Sequence, residues 1–363
     1  MTTLIHVDPE ATRPLMERTL RSGAPLAQDY PLVFQDGFPG GVVALGEGSD
    51  VHSACAILTR DFVTPQGAVR VGLIGSVSTD PGRQGQGLAT RVLIEAEAEL
   101  EKRGCHLALL WADDPRFYYA RAYRPLGCEL HLTVPRSMAG SLPAAEGVRE
   151  LRDDDTPAVH SLYLRHASHV ARRCEETHAL LACPGMSTLV LESEGRVVAY
   201  ACLGRGADLA DTVHEWAGAE GHVLALVRAH LDRAAEREQP AERIFVTAPT
   251  TAEGVASRLI DAGAEARAGV LGIGKILSYE NCVELFASLL GDEGSAELRR
   301  TEKGKRLAIR TPRGEAVLDD DLLLALLFPA FGLTEEVEDF RAAYGLSSAA
   351  FPMELYAWGL DSI

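Results

Sequence analysis

The chain has 363 residues, of which 47% are apolar and 24% charged, and its formal net charge is −17. This length exceeds the size at which one hydrophobic core stops growing, so two or three domains are expected. The acidic charge argues against nonspecific binding to nucleic acid or an anionic membrane and favours a cationic acceptor such as an amine. The sequence has no apolar run of about 18 residues and no signal-peptide pattern, which predicts a cytoplasmic protein.

Cysteine and histidine do not occur at the spacings of a standard metal or redox site. The seven cysteines include no CxxC pair, so we expect buried thiols. His166 and His169 share one face of a predicted helix, but the other histidines and cysteines nearby fit no standard ligand spacing. We therefore predict no metal cofactor.

The first part of the chain alternates between strand and helix patterns. Three strands are predicted at Gly41–Leu45, Val51–Thr59 and Val69–Thr79. Apolar residues then recur at helical spacing from Leu88 to Leu100, which predicts an amphipathic helix lying on a sheet. The nearly all-apolar segment Leu107–Trp111 is typical of a strand that is covered on both faces.

The order of elements repeats further along. A short helix at Pro115–Ala122 and a strand at Cys128–Val134 end the first set, and a long helix is predicted at Thr156–Cys174 before a second set of strands and helices. A third region combines a helix, paired strands and a very apolar helix. The predicted organisation is a first domain, a linker, a second domain and a C-terminal region, at residues 1–135, 136–146, 147–278 and 279–363.

A glycine loop lies between the strand Val69–Thr79 and the following helix, at Gln84–Ala89. Glycines let backbone N–H groups approach an anion, and the helix N-terminus adds a positive dipole end, so this loop is suited to a pyrophosphate. Arg83 and Arg91 could add charge. An ordinary strand-to-helix turn is the alternative. A P-loop would need Lys followed by Ser or Thr, and a dinucleotide site would need GxGxxG at the first strand of its unit.

The loop and the segment that follows resemble the GNAT acetyltransferase superfamily. Gln84, Gly87 and Ala89 fit the coenzyme motif Q/R-x-x-G-x-G/A. The segment Phe117–Tyr123 resembles the family's F-Y-x-x-x-G-F sequence, with Ala122 in place of the usual glycine. The resemblance covers residues 1–135.

This resemblance implies an α+β fold, with tandem GNAT domains built on a mixed, mostly antiparallel sheet flanked by helices. It implies acetyl-CoA as co-substrate, with the pantetheine arm on the backbone of Val77 and Ser78. Tyr118 would donate a proton to the departing thiolate. The residues implied in pyrophosphate binding are Arg83, Gln84, Gly85, Gln86, Gly87, Leu88 and Ala89.

The general base is less well defined. No Glu lies on the strand Val69–Thr79, where many relatives carry one, and His52, Asp113, Asp114 or a water remain candidates. Two GNAT-like domains and a third region also resemble the enhanced intracellular survival acetyltransferases, which modify amines on aminoglycosides and lysines. In that family the third region is sterol-carrier-like and the terminal carboxylate acts as base, which here implies Ile363.

We therefore expect an acetyl-CoA-dependent N-acetyltransferase that acts on a primary amine of a small molecule or peptide. The alternative is a non-catalytic acyl-CoA-binding sensor or scaffold. Transfer to an alcohol, or of a longer acyl chain, also stays open, as does a homo-oligomer. The second domain has no comparable glycine loop before Val223, so no coenzyme is expected there.

Overall fold

The computed structural model describes residues 2–21, 25–206, 208–250, 253–302, 304–329 and 334–363. Contacts divide the chain into two compact units. The first unit comprises the chain up to Gly127, Val270–Tyr356 and Ser362–Ile363. The second comprises Cys128–Gly269 and Ala357–Asp361. This division differs from the predicted domain boundaries, because strands and tail residues are exchanged between the two halves of the sequence.

The first stretch of chain carries the predicted strands and glycine-loop helix, and a helix near the N-terminus that the sequence interpretation missed. Its elements are β1 (Thr3–Ile5), α1 (Pro9–Leu20), α2 (Pro31–Phe34), β2 (Gly41–Glu47), β3 (Asp50–Thr64), β4 (Gly67–Thr79), α3 (Leu88–Lys102), β5 (Leu107–Leu110), α4 (Arg116–Tyr119) and β6 (Arg124–Pro135).

The middle stretch repeats this order of strands and helices. Its elements are β7 (Val148–Glu150), α5 (Thr156–Tyr163), β8 (His169–Val170), α6 (Cys174–Leu181), β9 (Ser187–Ser193), β10 (Arg196–Leu203), β11 (Thr212–Gly218), α7 (Glu220–Ala235), β12 (Arg243–Pro249), α8 (Glu253–Asp261) and β13 (Glu265–Ile276).

The C-terminal region contains a small antiparallel sheet with helices. Its elements are α9 (Tyr279–Leu290), β14 (Ser295–Thr301), β15 (Gly304–Thr311), β16 (Gly314–Val317), α10 (Asp320–Leu327) and α11 (Thr334–Tyr344). Phe62 of β3 and Phe328 make an edge-to-face contact with ring centroids 6.0 Å apart, so this region packs on the sheet of the first unit. The sterol-carrier likeness stays a prediction.

Within the described residues, each unit contains a mixed, mostly antiparallel sheet in which one pair of adjacent strands is parallel. In the first unit β1 to β4 pair antiparallel in sequence order, β4 and β5 are parallel, and β13 pairs antiparallel with β5. In the second unit β7, β9, β10 and β11 are antiparallel in that order, β11 and β12 are parallel, and β6 pairs antiparallel with β12. The closing strand of each unit thus comes from the other half of the sequence.

The long helix predicted at Thr156–Cys174 is wrong. The chain forms α5, the short strand β8 and then α6. Between the two helices the backbone turns around Tyr163, whose hydroxyl accepts from Val170 N at 2.9 Å. The second helix begins with its own cap, because Arg173 N donates to the Glu176 carboxylate at 2.7 Å. These local hydrogen bonds satisfy backbone groups that one continuous helix would have paired.

The sheet of the first unit separates two apolar clusters. Ile57 and Ile74 belong to the cluster under α3, together with Leu88 and Val92. The other cluster lies under α1 and α2, and its members are Met16, Leu26, Val33, Phe34, Ala44, Ala54 and Ala56. Because successive side chains on a strand point to opposite faces, neighbouring residues of β2 and β3 contribute to different clusters.

None of the helices within the described residues is both long enough and apolar enough to cross a membrane.

Candidate active site

The strand β4 is interrupted by a β-bulge at the position where the family resemblance implies the pantetheine contact. Ala56 pairs with Gly75 and Ala54 pairs with Ser78, so two residues of β4 lie opposite the single residue between them. Ser76 takes a left-handed conformation, with φ of 51°. Bulges of this kind bend a strand and redirect its polar groups.

Hydrogen bonds from side chains hold the bulge in shape. The Ser78 hydroxyl donates to the Ser76 carbonyl at 3.0 Å, and the Ser53 hydroxyl donates to the Ser78 carbonyl at 2.8 Å. Val77 packs against the apolar cluster under α3. The bulge is therefore a fixed feature of the strand.

The parallel strands β4 and β5 separate just before the bulge. Their pairing covers Val71 with Leu107, Gly72 with Ala108 and Leu73 with Leu109. Within the described part of the chain, the edge of β4 that faces β5 has no strand partner beyond this point. Backbone groups of residues 75–78 on that edge are available to a ligand, because no neighbouring strand uses them.

The glycine loop leads directly into the N-terminus of α3. Gly85 and Gly87 both have positive φ, 76° and 73°, which only glycine adopts without strain. Gly87 occupies the N-cap position, and no side chain caps the first turn of α3, which also carries no acidic residue. The residues from Gln84 to Gly87 are exposed. The first N–H groups of the helix are therefore open to an anion.

The two arginines predicted near the loop have other partners. Arg83 lies 3.4 Å from the Asp50 carboxylate, and Arg91 donates to the Thr2 carbonyl at 3.1 Å. Both side chains stay at least partly exposed. Ion pairs at this level of exposure are weak, so either arginine can turn towards a bound phosphate at little cost.

Tyr118 lies in the short helix α4, on the face of the sheet that α3 covers. Its ring contacts those of Phe117 and Tyr123 edge to face, with centroids 5.0 and 5.7 Å away. The hydroxyl makes no hydrogen bond to any described residue. Burial raises the pKa of Tyr118 to about 12, so the phenol stays protonated across the physiological range.

The segment after Tyr118 shows why the family motif has a glycine there. Ala122 has φ of 65°, in the left-handed region that favours glycine. Arg121 stacks on the Phe117 ring at 3.7 Å and donates to the Thr90 hydroxyl at 3.0 Å, which ties α4 to the first turn of α3. The turn is thus kept despite the strained alanine.

The C-terminal carboxyl group lies against the bulge. A Cβ placed on Gly75 would come within 2.4 Å of the Ile363 oxygen and 2.5 Å of its carboxyl carbon. The Ile363 side chain packs on the cluster under α1 that contains Ala54 and Ala56. The carboxyl group and Tyr118 therefore lie on opposite faces of the sheet, with the bulge of β4 between them.

Gly75 was not singled out from the sequence. A glycine inside an apolar strand often marks a close approach of another backbone, and this was the available signal. The group that approaches is the last residue of the chain, which no local pattern could have indicated.

The other candidate bases have different environments. His52 is buried, and its ring nitrogens are hydrogen bonded to the Thr2 hydroxyl at 2.8 Å and the Asp50 carboxylate at 2.9 Å. Hydrogen bonds from Arg116 lower the pKa of Asp114 to about 2, which makes it a weak base. Asp113 is exposed in the same loop.

The histidines of the second unit have structural partners. His166 Nε2 is hydrogen bonded to the Trp216 carbonyl at 2.9 Å, and His169 Nδ1 to the His166 carbonyl at 2.9 Å. Among the residues described, no group of three or more His, Cys, Asp or Glu side chains is arranged to hold a metal ion. In the first turn of α7, Glu220 puts a carboxylate where α3 has none.

Comparison with known proteins gives one family match. Residues 34–130 match the family model described as an acetyltransferase (GNAT) domain. No curated protein matches the chain.

Several solved structures share the fold over most of the chain at low sequence identity. A GCN5-related N-acetyltransferase from Anabaena variabilis is 12% identical, covers 100% of both chains and has a TM-score of 0.67. A conserved protein from Enterococcus faecalis, described as a probable N-acyltransferase, is 12% identical over 89% of this chain and 86% of its own, with a TM-score of 0.65. Eis1 from Mycobacterium abscessus is 14% identical over 88% and 85%, with a TM-score of 0.58.

The matched residues contain the bulge, the glycine loop and Tyr118. Over residues 34–130 the chain is similar to the acetyltransferases of the GNAT family. The whole chain has a GNAT-type α+β fold, in a tandem arrangement that resembles the enhanced intracellular survival acetyltransferases.

Proposed function

We propose that this protein is an acetyl-CoA-dependent N-acetyltransferase that transfers an acetyl group directly to a primary amine of a small molecule or peptide. The observation that carries the proposal is the bulge of β4, at which the backbone edge that faces β5 has no strand partner among the described residues. This edge lies beside the uncapped N-terminus of α3 and the Ile363 carboxyl group. The names of the Anabaena and Enterococcus proteins agree with this activity.

Acetyl-CoA would bind along the gap where β4 and β5 separate. The pyrophosphate would accept hydrogen bonds from the N-terminus of α3 and from Gln84–Ala89, while Arg83 and Arg91 add positive charge. The pantetheine arm would extend the β4 ladder beyond Leu73, which places the thioester carbonyl at Val77 and Ser78. Backbone N–H groups there would stabilise the oxyanion that forms during transfer.

The reaction would proceed by direct attack. The neutral amine bonds to the thioester carbonyl carbon, and the Ile363 carboxylate takes one proton from the amine nitrogen. The C–S bond of the tetrahedral intermediate then breaks, and Tyr118 gives its proton to the CoA thiolate. The products are the amide and CoA with its thiol. The positions of Ile363 and Tyr118 on opposite faces of β4 support separate roles as base and acid.

The cysteine opposite the β4 bulge, Cys55, is suited to packing and not to catalysis. Cys55 lies opposite the bulge and is fully buried. Burial raises its pKa to about 12, so it is a neutral thiol at working pH. Since the thiolate is the nucleophilic form, an acetyl-cysteine intermediate is disfavoured, which supports direct transfer.

The first experiment is calorimetric titration of the protein with acetyl-CoA, beside the variant Gly87→Glu. The variant puts a carboxylate at the N-cap of α3, where it would occupy the anion site and repel the pyrophosphate. Gly87→Ala is the matched control, because it carries the same left-handed strain as Gly87→Glu without the carboxylate, and Gly221→Glu adds the charge near the start of α7, where no coenzyme is expected. One-to-one binding that is lost only in Gly87→Glu supports the proposal.

Turnover separates the enzyme from the alternative function. A panel of amines, including aminoglycosides and lysine peptides, would be screened for release of CoA thiol. Acetyl-CoA binding without turnover of any amine would favour the non-catalytic sensor or scaffold. Failure of the unaltered protein to bind acetyl-CoA would overturn both the acetyltransferase and the acyl-CoA-binding sensor or scaffold.

A further inference from the structure

The tail segment Ala357–Asp361 belongs to the second unit and is held within it by a buried polar cluster. Asp361 is buried and accepts hydrogen bonds from Arg172 Nε at 2.7 Å, from the Tyr163 hydroxyl at 2.8 Å and from Trp358 N at 3.2 Å. One aspartate near a chain terminus thus has three donors, in a segment that would ordinarily fray.

Arg172 is the cation of this cluster and has no exposed side-chain surface. It donates to both carboxylate oxygens of Glu215, at 3.1 and 2.7 Å, and its guanidinium lies 4.0 Å from the centre of the Tyr163 ring. The Tyr200 hydroxyl also donates to Glu215, at 3.0 Å. Arg172 is therefore fixed by Glu215 and the tyrosines, and it presents its remaining edge to Asp361.

Packing around Trp358 holds the same segment. The indole is 1% exposed, and its ring centroid lies 4.1 Å from that of His166 and 5.2 Å from that of Trp216. Arg205 donates to the Gly359 carbonyl at 2.7 Å. Apolar contacts of this kind give affinity without fixing position closely, whereas charged hydrogen bonds have defined geometry.

We propose that Arg172 is a positioning residue for the acyl transfer, which acts through Asp361 to fix the C-terminal carboxylate. The inference rests on the proposed function, in which that carboxylate is the base. Ile363 follows Asp361 by two residues, so its Cα stays within about 7 Å of the Asp361 Cα. Fixing Asp361 therefore removes most of the freedom that an unanchored terminus would have.

The composition of the cluster favours positioning over simple stabilisation. One guanidinium and two carboxylates are removed from water together, and apolar side chains of similar volume generally stabilise a fold as well or better. Buried polar clusters of defined geometry fix one arrangement of the chain, which is the property that a base at a chain terminus needs.

The test compares Asp361→Asn and Tyr163→Phe with the unaltered protein. Asparagine keeps the shape of the side chain but removes its charge and brings an NH2 group towards Trp358 N. Asp155→Asn is the control, since Asp155 is also a buried aspartate of the second unit, it pairs with the partly exposed Arg149 at 2.6 Å, and it belongs to a different segment. The first readout is release of Ile363 by a carboxypeptidase, which needs no substrate. The second is the kinetics with an amine found in the screen.

We expect Asp361→Asn to raise the rate of Ile363 release about tenfold or more, because loss of a hydrogen bond to a charged group shifts a local opening equilibrium by about that factor. We expect kcat to fall about tenfold or more through misplacement of the base, with KM for acetyl-CoA nearly unchanged. Tyr163→Phe should show the same pattern with smaller changes, and Asp155→Asn should show neither.

Release of Ile363 at the unaltered rate in both tail variants would overturn the proposal. Faster release with unchanged kcat would also overturn it, since the tail would then be anchored without a role in the chemistry. Failure of the proposed function is recognised separately, because the unaltered protein would then bind no acetyl-CoA while its tail is still protected from the carboxypeptidase.

Discussion

Substitution of Gly75 by alanine tests whether the terminal carboxylate acts at the bulge. A Cβ at this position would lie 2.4 Å from the Ile363 oxygen, about 1 Å short of ordinary contact. Gly75 has no positive φ, so alanine is compatible with the strand itself. The substitution therefore acts mainly by displacing the carboxyl group by about 1 Å, a shift that can cost about 100-fold in kcat, or about 2.7 kcal/mol of transition-state stabilisation.

The assay is steady-state CoA release at saturating acetyl-CoA, with the affinity for acetyl-CoA measured by calorimetry. Gly72→Ala is the matched control on the same strand. Its Cβ would meet the flexible end of Leu100 at 2.6 Å, so it disturbs the core under α3 and leaves the carboxyl group alone. We expect it to lower stability with little effect on kcat.

A double-mutant cycle tests whether the loss of kcat in Gly75→Ala arises from displacement of the Ile363 carboxyl group. Deletion of Ile363 removes the carboxyl group from Gly75, so Gly75→Ala should cost nothing further in the truncated chain, and the two losses should be strongly non-additive. Additive losses, or full activity of Gly75→Ala, would refute the reasoning.

Three further predictions rest on single side chains. Tyr118→Phe should lower kcat by about 100-fold or more with unchanged acetyl-CoA affinity. Because the pKa of Tyr118 is about 12, kcat/KM of the unaltered enzyme should rise with pH as the amine loses its proton, and it should not fall again below about pH 10. Ala122→Gly should raise stability by about 1 kcal/mol in thermal unfolding by relieving the left-handed strain, whereas Ala120→Gly, at φ −64°, should lower it. Burial lowers the pKa of His230 to about 4, so the unfolded chain binds its proton first as the pH falls below about 6.5, and stability declines. In urea unfolding, His230→Gln should therefore remove about 2 kcal/mol of the stability difference between pH 7 and pH 5, and an unchanged difference would contradict the role given to His230. For Ala122→Gly, a gain in stability no larger than the change in Ala120→Gly would contradict the strain at Ala122.

Features set by near neighbours in sequence were predictable. The apolar period of α3 gives its buried face, and the turn before it needs glycines at Gly85 and Gly87 because both have positive φ. The spacing of Tyr118 from this loop reflects one helix and one strand of ordinary length. Each of these features depends on residues within about 35 positions of one another, so motif and periodicity are enough to predict it.

Predictions that required knowledge of distant partners were incomplete or wrong. The stretch from Thr156 to Cys174 has a helical composition, yet β8 interrupts it, because Tyr163 bonds to Val170 and to Asp361. The linker predicted at residues 136–146 was inferred from turn-rich composition. The exchange of β6 and β13 between the two units depends instead on their pairing with β12 and β5, which the composition does not show.

The sequence by itself indicated the GNAT likeness of the first domain, its glycine loop and the position of Tyr118, because these features lie in short segments with local backbone requirements. Only the tertiary structure decided that the Ile363 carboxyl group lies on Gly75, and that Arg172 holds Asp361. The physical reason is that a strand glycine, a terminal isoleucine and a lone arginine carry no pairing code of their own. Their partners are selected by the packing of whole elements, and hydrogen-bond geometry becomes specific only once that packing has brought them together.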